Sequence, residues 1–259
     1  MKNFKQIVAL ISFFLFSVSP LAPSDAVFSQ SASIIEEIHK VASIPAISFQ
    51  KKTFDNPHVH IQVPKEQERL VREILAEIPE SHLSSLKKIE AEFGDDKRRG
   101  LASFRSIYLG VDAIESEQEL RRVLIHEIGH VVDLGALQGK RGSEKSAYKD
   151  GSNSISVSDP SIDFYSLCWG DEHTQNTNCS DKDFVSEYAQ VDVFEDFAES
   201  YLLFTENNES FKAMAEESDV IAQKYEFFAS TVFNGNFESS PASQGIIAGE
   251  RVWDLTKVF

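Results

Sequence analysis

The sequence predicts an α+β fold, a small sheet combined with several amphipathic helices. Three observations carry that prediction. A run rich in aromatic and β-branched residues, "LASFRSIYLG", lies between Gly100 and Gly110 and reads as a strand. "KEQERLVREILAEIP" repeats apolar residues at helical spacing, with Leu70, Val71, Ile74, Leu75 and Ile78 on one face. The helical pattern then returns in "LRRVLIHEIGHVVDL" and "DVFEDFAESYLLF". These last two form an interior helix and the start of a C-terminal helical lobe.

The elements follow in order along 259 residues. Residues 1–26, "MKNFKQIVALISFFLFSVSPLAPSDA", place two lysines before an apolar core and small residues after it, the order of a secretory signal peptide. An uncleaved anchor is the alternative, although the apolar run is short for spanning a bilayer. Residues 27–60 form a segment that is either a pro-segment or the first helix and strands. "SIIEEIHKVA" is helical there, and "ISFQKKTF" and "HVHIQV" are extended. His58 and His60 alternate as on an exposed strand face. From residue 61 to 259 the chain reads as one domain, long enough for its own core. "SHLSSLKKIEAEF" continues the helical style of the segment before it. Ser116 with Glu119 resembles a capping box that opens the next helix, and Gly135 closes it. A polar stretch, about residues 138–183, reads as a lid or substrate-facing loop. "ESFKAMAEESDVIAQKYEFFASTVF" supplies one or two further helices, and the tail pattern decides nothing.

A formal net charge of -16 argues against nucleic acid as a partner, because phosphate binding needs a basic stripe. Acidity likewise disfavours anionic membranes, so no membrane association is expected once a signal is removed. The two cysteines, Cys168 and Cys179, flank a short polar loop. In an exported chain they read as a disulfide, with a zinc site through both thiols and His173 as the alternative. "NCS" and "NES" fit the glycosylation pattern without showing use of it.

"HEIGH", residues 126–130, raises a chemical question, since an apolar helix has no use for three polar groups that nothing satisfies. Residues four apart share a helix face, so His126 and His130 can ligate one ion while Glu127 reaches a water beside it. A pair of core histidines satisfied by nearby acids is the bland alternative. Zinc requires a third protein ligand. No histidine follows at the spacing that metzincins use, which leaves His173 and the acids of "SEYAQVDVFEDFAESYLLF". Glu195 and Glu199 lie four apart there, on one side of a helix.

"HEIGHVVD" followed by "YAQVDVFEDFAESY" resembles the gluzincin metallopeptidases of the branch that includes anthrax lethal factor and the secreted Pro-Pro endopeptidases, over roughly residues 100–205. The resemblance implies a zincin-like fold with a peptide-binding edge strand, one catalytic zinc ion and a ligand set of His126, His130 and Glu195. It further implies that Tyr188 bonds the substrate carbonyl and that Glu199 and Asp133 support the site. By zinc chemistry Glu127 is then the general base. "SFRSIYL" is the strand expected to hold an extended peptide or protein substrate. The expected product is a secreted or periplasmic monomeric endopeptidase. A catalytically silent binding protein on the same scaffold, or a zinc hydrolase of non-peptide amides, remains open.

Overall fold

The structure is a computed structural model that describes residues 53–92, 94, 98–137, 144–235 and 251–258. The signal peptide expected over residues 1–26, and the helix and first extended piece expected before residue 53, lie outside the described residues. Within them the architecture is mixed, a small sheet with several helices. No helix among the described residues is long and apolar enough to cross a membrane.

Strand β1, His60–Gln62, precedes helix α1, Lys65–Leu75, which buries Val71, Ile74 and Leu75 as its spacing predicts. Strand β2, Lys88–Glu92, follows a short 3-10 turn at Glu80–Leu83. Here the helical expectation for "SHLSSLKKIEAEF" fails. Lys, Glu and Ala favour helix in isolation, but β2 lies between two parallel partners, β1 and the later strand β4. Ladder bonds on both sides outweigh a few tenths of a kcal/mol of propensity per residue. "LASFRSIYLG" also divides: β3, Gly100–Ser103, turns at Phe104 and Arg105 into β4, Ser106–Gly110. The two pair antiparallel, and the sheet order β1-β2-β4-β3 leaves β3 at an edge. The free edge beside the later helix α2 therefore belongs to β3. "SFRSIYL" is mostly β4, already paired on both sides, so it is not the strand open to a peptide.

Helix α2, Glu117–Val131, carries HEIGH. Ser116 caps it by accepting the Glu119 N–H at 3.1 Å, and the Glu119 carboxylate returns to the Glu115 N–H at 2.8 Å. The helix passes into a π turn at Val132–Ala136, so the regular helix ends before Gly135. From Glu119 onward every residue of α2 but Arg121 is buried, which marks a central helix rather than a half-exposed one.

The polar stretch is a folded insertion in its described part, not a lid. Strands β5, Lys145–Asp150, and β6, Asn153–Ser156, form a hairpin, and helix α3, Ser161–Cys168, buries Phe164 and Tyr165. Few aromatic residues interrupt its polar composition, and those few are the anchors. The Phe164 ring meets Phe197, Phe227 and Phe228 at 5.2–5.6 Å. Those partners come from α4, Val193–Glu206, from α6, Asp219–Phe227, and from the turn after it; α5, Asn208–Glu217, lies between. Lys224 of α6 is fully buried, and its Nζ donates to both Asp196 oxygens while Trp169 Nε1 donates to one of them. Insertion and helical lobe are thereby locked to α4 beside Glu195.

Cys168 and Cys179 form a disulfide. It closes a loop of 11 residues' separation. Loop-closure entropy for so short a ring gives roughly 2–3 kcal/mol. Replacing both cysteines by Ala is expected to lower the unfolding free energy by that amount, read as a lower urea midpoint, with the slope rising slightly as the unfolded chain loses its ring. An unmoved midpoint would show that the buried aromatic anchors alone hold the insertion.

Candidate metal centre

Two helices bring the site together. Gly129 makes their approach possible, because a Cβ there would stand 2.9 Å from Ala198 Cα on α4. Across that close crossing, His126 and His130 face Glu195. Asp192 caps α4 by accepting the N–H groups of Phe194 and Glu195, both at 2.9 Å, which fixes the helix start two residues before the glutamate.

One carboxylate oxygen lies between both imidazoles. Glu195 Oε2 is 3.0 Å from His126 Nε2 and 3.5 Å from His130 Nε2. Ligands about 2.0–2.1 Å from a tetrahedral ion stand ~3.3 Å apart, so these separations fit a common cation. Among the described residues, His126, His130 and Glu195 are the grouping that can hold a metal ion. His173 is exposed and distant from it in role, its N–H bound to Asp171 at 2.9 Å. His58 and His60 are exposed, as an outer strand face predicts.

Electrostatics agree with a cation at this point. Burial opposes charge on His126, but hydrogen bonds with Glu195 and Glu199 outweigh it and raise the imidazole's pKa well above its ordinary value. Burial acts upward on Glu195, yet His130 and His126 hold its carboxyl far below the usual range. In the metal-free chain these shifts favour a proton between the imidazoles and Glu195, which a metal ion bound there would displace.

Glu199, one turn beyond Glu195, takes the other side of the same ring. Its Oε1 is 2.9 Å from His126 Nδ1, while its Oε2 accepts the Ser186 hydroxyl at 2.7 Å and the Leu255 N–H at 3.0 Å. His126 is therefore bracketed by two carboxylates from one helix, which sets Nε2 toward Glu195. Asp133 behaves differently from its expectation. Its Oδ1 accepts the Tyr165 hydroxyl at 2.7 Å, a bond to the insertion and not to an imidazole. It sits in the π turn at Val132–Ala136, and burial pushes its carboxyl up to about 7, with the Tyr165 bond and the nearby His130 acting the other way.

Glu127 is buried, and its Oε2 has no hydrogen-bond partner. Burial raises its pKa, only partly offset by the two histidines. Beside it runs the start of β3, where a Cβ on Gly100 would fall 2.7 Å from Glu127 Cδ. Only glycine lets the edge strand lie against the carboxylate. A cavity of about 200 Å³ opens here, lined by Gly100, His126, Glu127 and Tyr188 and by Asp254 and Thr256 of the C-terminal segment. The Tyr188 ring lies 6.1 Å from that of His126, and burial, then Glu195, hold its phenol protonated above the usual range. A larger cavity, about 260 Å³, sits between α1 and the start of α2 and includes none of the metal-grouping residues. A buried carboxylate with one unpartnered oxygen and a protonated phenol share this cavity with His126, the member of the three-residue grouping that lines it.

Sequence reasoning had not singled out Gly100, Ser186 or the C-terminal residues. Gly100 marked a strand boundary, and its contact with Glu127 is a property of packing. The Leu255 contribution is a backbone N–H, which leaves no trace in residue type.

Compared with protein families, with characterised proteins and with solved structures, the chain matches none.

Proposed function

We propose that this protein is an exported zinc-dependent endopeptidase. The observation that carries the reading is Glu127, a buried carboxylate with an unpartnered oxygen, set in one cavity with His126 and Tyr188. A lone buried polar atom costs about 1–3 kcal/mol; Asp133 Oδ2 bears the same cost, but Glu127 alone of the two faces the cavity with His126 and Tyr188. The donor set of two imidazoles and one carboxylate suits zinc better than magnesium or calcium, which prefer all-oxygen shells. The disulfide suits an oxidising compartment.

Zinc held by His126, His130 and Glu195 supplies a Lewis acid that polarises a carbonyl and brings a water's pKa toward ~7. The remaining steps belong to the chain. The edge of β3, which pairs with no further strand among the described residues, accepts an extended peptide by strand addition, its backbone bonding fixing the register. Glu127 takes a proton from the attacking water and delivers it to the departing amine, a role its raised pKa suits. The Tyr188 hydroxyl donates to the oxygen that gains charge. Glu199 keeps the His126 ring from turning.

The test is cleavage of a peptide library by the full chain, stripped with chelator and then given one equivalent of zinc. Internal peptide bonds should be cut only in the zinc-loaded sample. Zinc bound at one equivalent with no cleavage would sink the peptidase reading and leave a binding protein on this scaffold. Gly100→Ala offers a finer check. The added methyl displaces Glu127 or the edge strand, and a misplacement near 1 Å costs roughly 10²-fold in rate. Turnover should fall by about that factor with zinc content unchanged; unaltered turnover would mean that Glu127 is not the base.

A further inference from the structure

The C-terminal segment carries one side chain that its neighbours do not explain. Asp254, Leu255 and Thr256 are buried, whereas Trp253 is 62% exposed, the most exposed large apolar side chain among the described residues. The segment is tightly held. Trp253 O accepts the Tyr188 N–H at 2.7 Å, and Val252 O accepts the Glu187 N–H at 2.9 Å. Arg99, next to Gly100 on the edge strand, bonds Asp254, Thr256 and Glu119. Arg122 Nε donates to Thr256 O at 2.9 Å. The backbone that carries the indole is therefore held in place and is not a frayed end.

Its place relative to the site is also defined. The Trp253 ring lies 6.4 Å from Tyr188, and Tyr188 lies 6.1 Å from His126, so three rings lead outward from the metal grouping to solvent. An extended peptide advances about 3.3 Å per residue, so the indole is within reach of a side chain roughly two or three residues from the bond at the metal.

Resting on the peptidase reading above, we propose that Trp253 forms a specificity subsite, taking a bulky apolar side chain of the peptide on the Tyr188 side of the scissile bond. An occupant removes both its own and the indole's apolar surface from water. A small or charged side chain there leaves the ring wet. Hydrophobic subsites of this kind discriminate by about 10- to 200-fold.

The test compares two peptide series, one for each side of the cut, that differ only at the position about two or three residues from it, Leu or Phe against Ala or Asp. The zinc-loaded chain should prefer the bulky apolar member by about 10- to 100-fold in kcat/KM at the Trp253 position. Trp253→Ala should bring the ratio close to one, chiefly through KM, at full zinc content. A second measurement needs no change at this position. The chain has two tryptophans, and Trp169 is buried, so acrylamide quenching reports Trp253. In Glu127→Gln, saturating apolar peptide should protect it. Retained selectivity in a zinc-replete Trp253→Ala, or an indole equally quenched with peptide bound, would overturn the subsite while leaving the peptidase reading intact. Absence of cleavage by the unaltered chain would remove both together.

Discussion

Glu127→Gln is expected to lower peptide cleavage by about 10³-fold or more with the zinc content unchanged at one ion per chain. The substitution keeps the volume of the side chain and removes only its basicity. General bases typically contribute 10²–10⁴-fold. Among the described residues no second carboxylate stands free to replace it, since Asp254 in the same cavity is engaged by Arg99 and Thr256. Glu195 is shared between His126 and His130, and Glu199 is occupied by His126, Ser186 and Leu255. The amide can still lie against Gly100, so the fold should persist. Metal analysis and steady-state rates on the same sample decide the matter. Cleavage within tenfold of the unaltered chain would remove Glu127 from the chemistry.

Glu195→Ala should abolish metal binding, and cleavage with it. Among the described residues this carboxylate is the one group that both imidazoles face at 3.0–3.5 Å, so two histidines alone would remain. Loss of one of three protein ligands costs far more affinity than disturbance of a supporting residue, for which 10–100-fold is usual. A thermal readout separates this from misfolding. An ion that binds only the native state stabilises it by RT ln(1 + [L]/Kd), about 2.7 kcal/mol at a hundredfold excess over Kd. Zinc should raise the Tm of the unaltered chain and leave that of Glu195→Ala where it is. Full zinc occupancy in the variant would assign the third ligand elsewhere.

How much of this could be read from residue order depends on the range of the interaction. HEIGH and its capping residues are local, so helical spacing placed His126 and His130 on one face without tertiary information. Glu195 and Glu199 were equally legible, because four residues on a helix put both acids on one side. That pairing explains how one ring can meet Glu195 at Nε2 and Glu199 at Nδ1. What escaped was decided by distant partners. β2 looks helical by composition and is a strand because parallel neighbours flank it. The insertion looks like a loop because its few buried aromatics, Phe164, Tyr165 and Trp169, are spread among polar residues. Asp133 sits at a suggestive offset from His130, but its carboxylate accepts the Tyr165 hydroxyl, a partner that only the folded insertion brings to it. The C-terminal segment reaches the centre through the Leu255 N–H, which no pattern of side chains announces.

Whether His126, His130 and Glu195 hold one zinc ion is decided by anomalous diffraction at the zinc edge from crystals of the zinc-loaded chain. A single peak at bonding distance from both Nε2 atoms and the Glu195 carboxylate is the predicted result. A peak elsewhere, such as the cavity beside α1, or none at the three residues at full zinc content, would contradict the account.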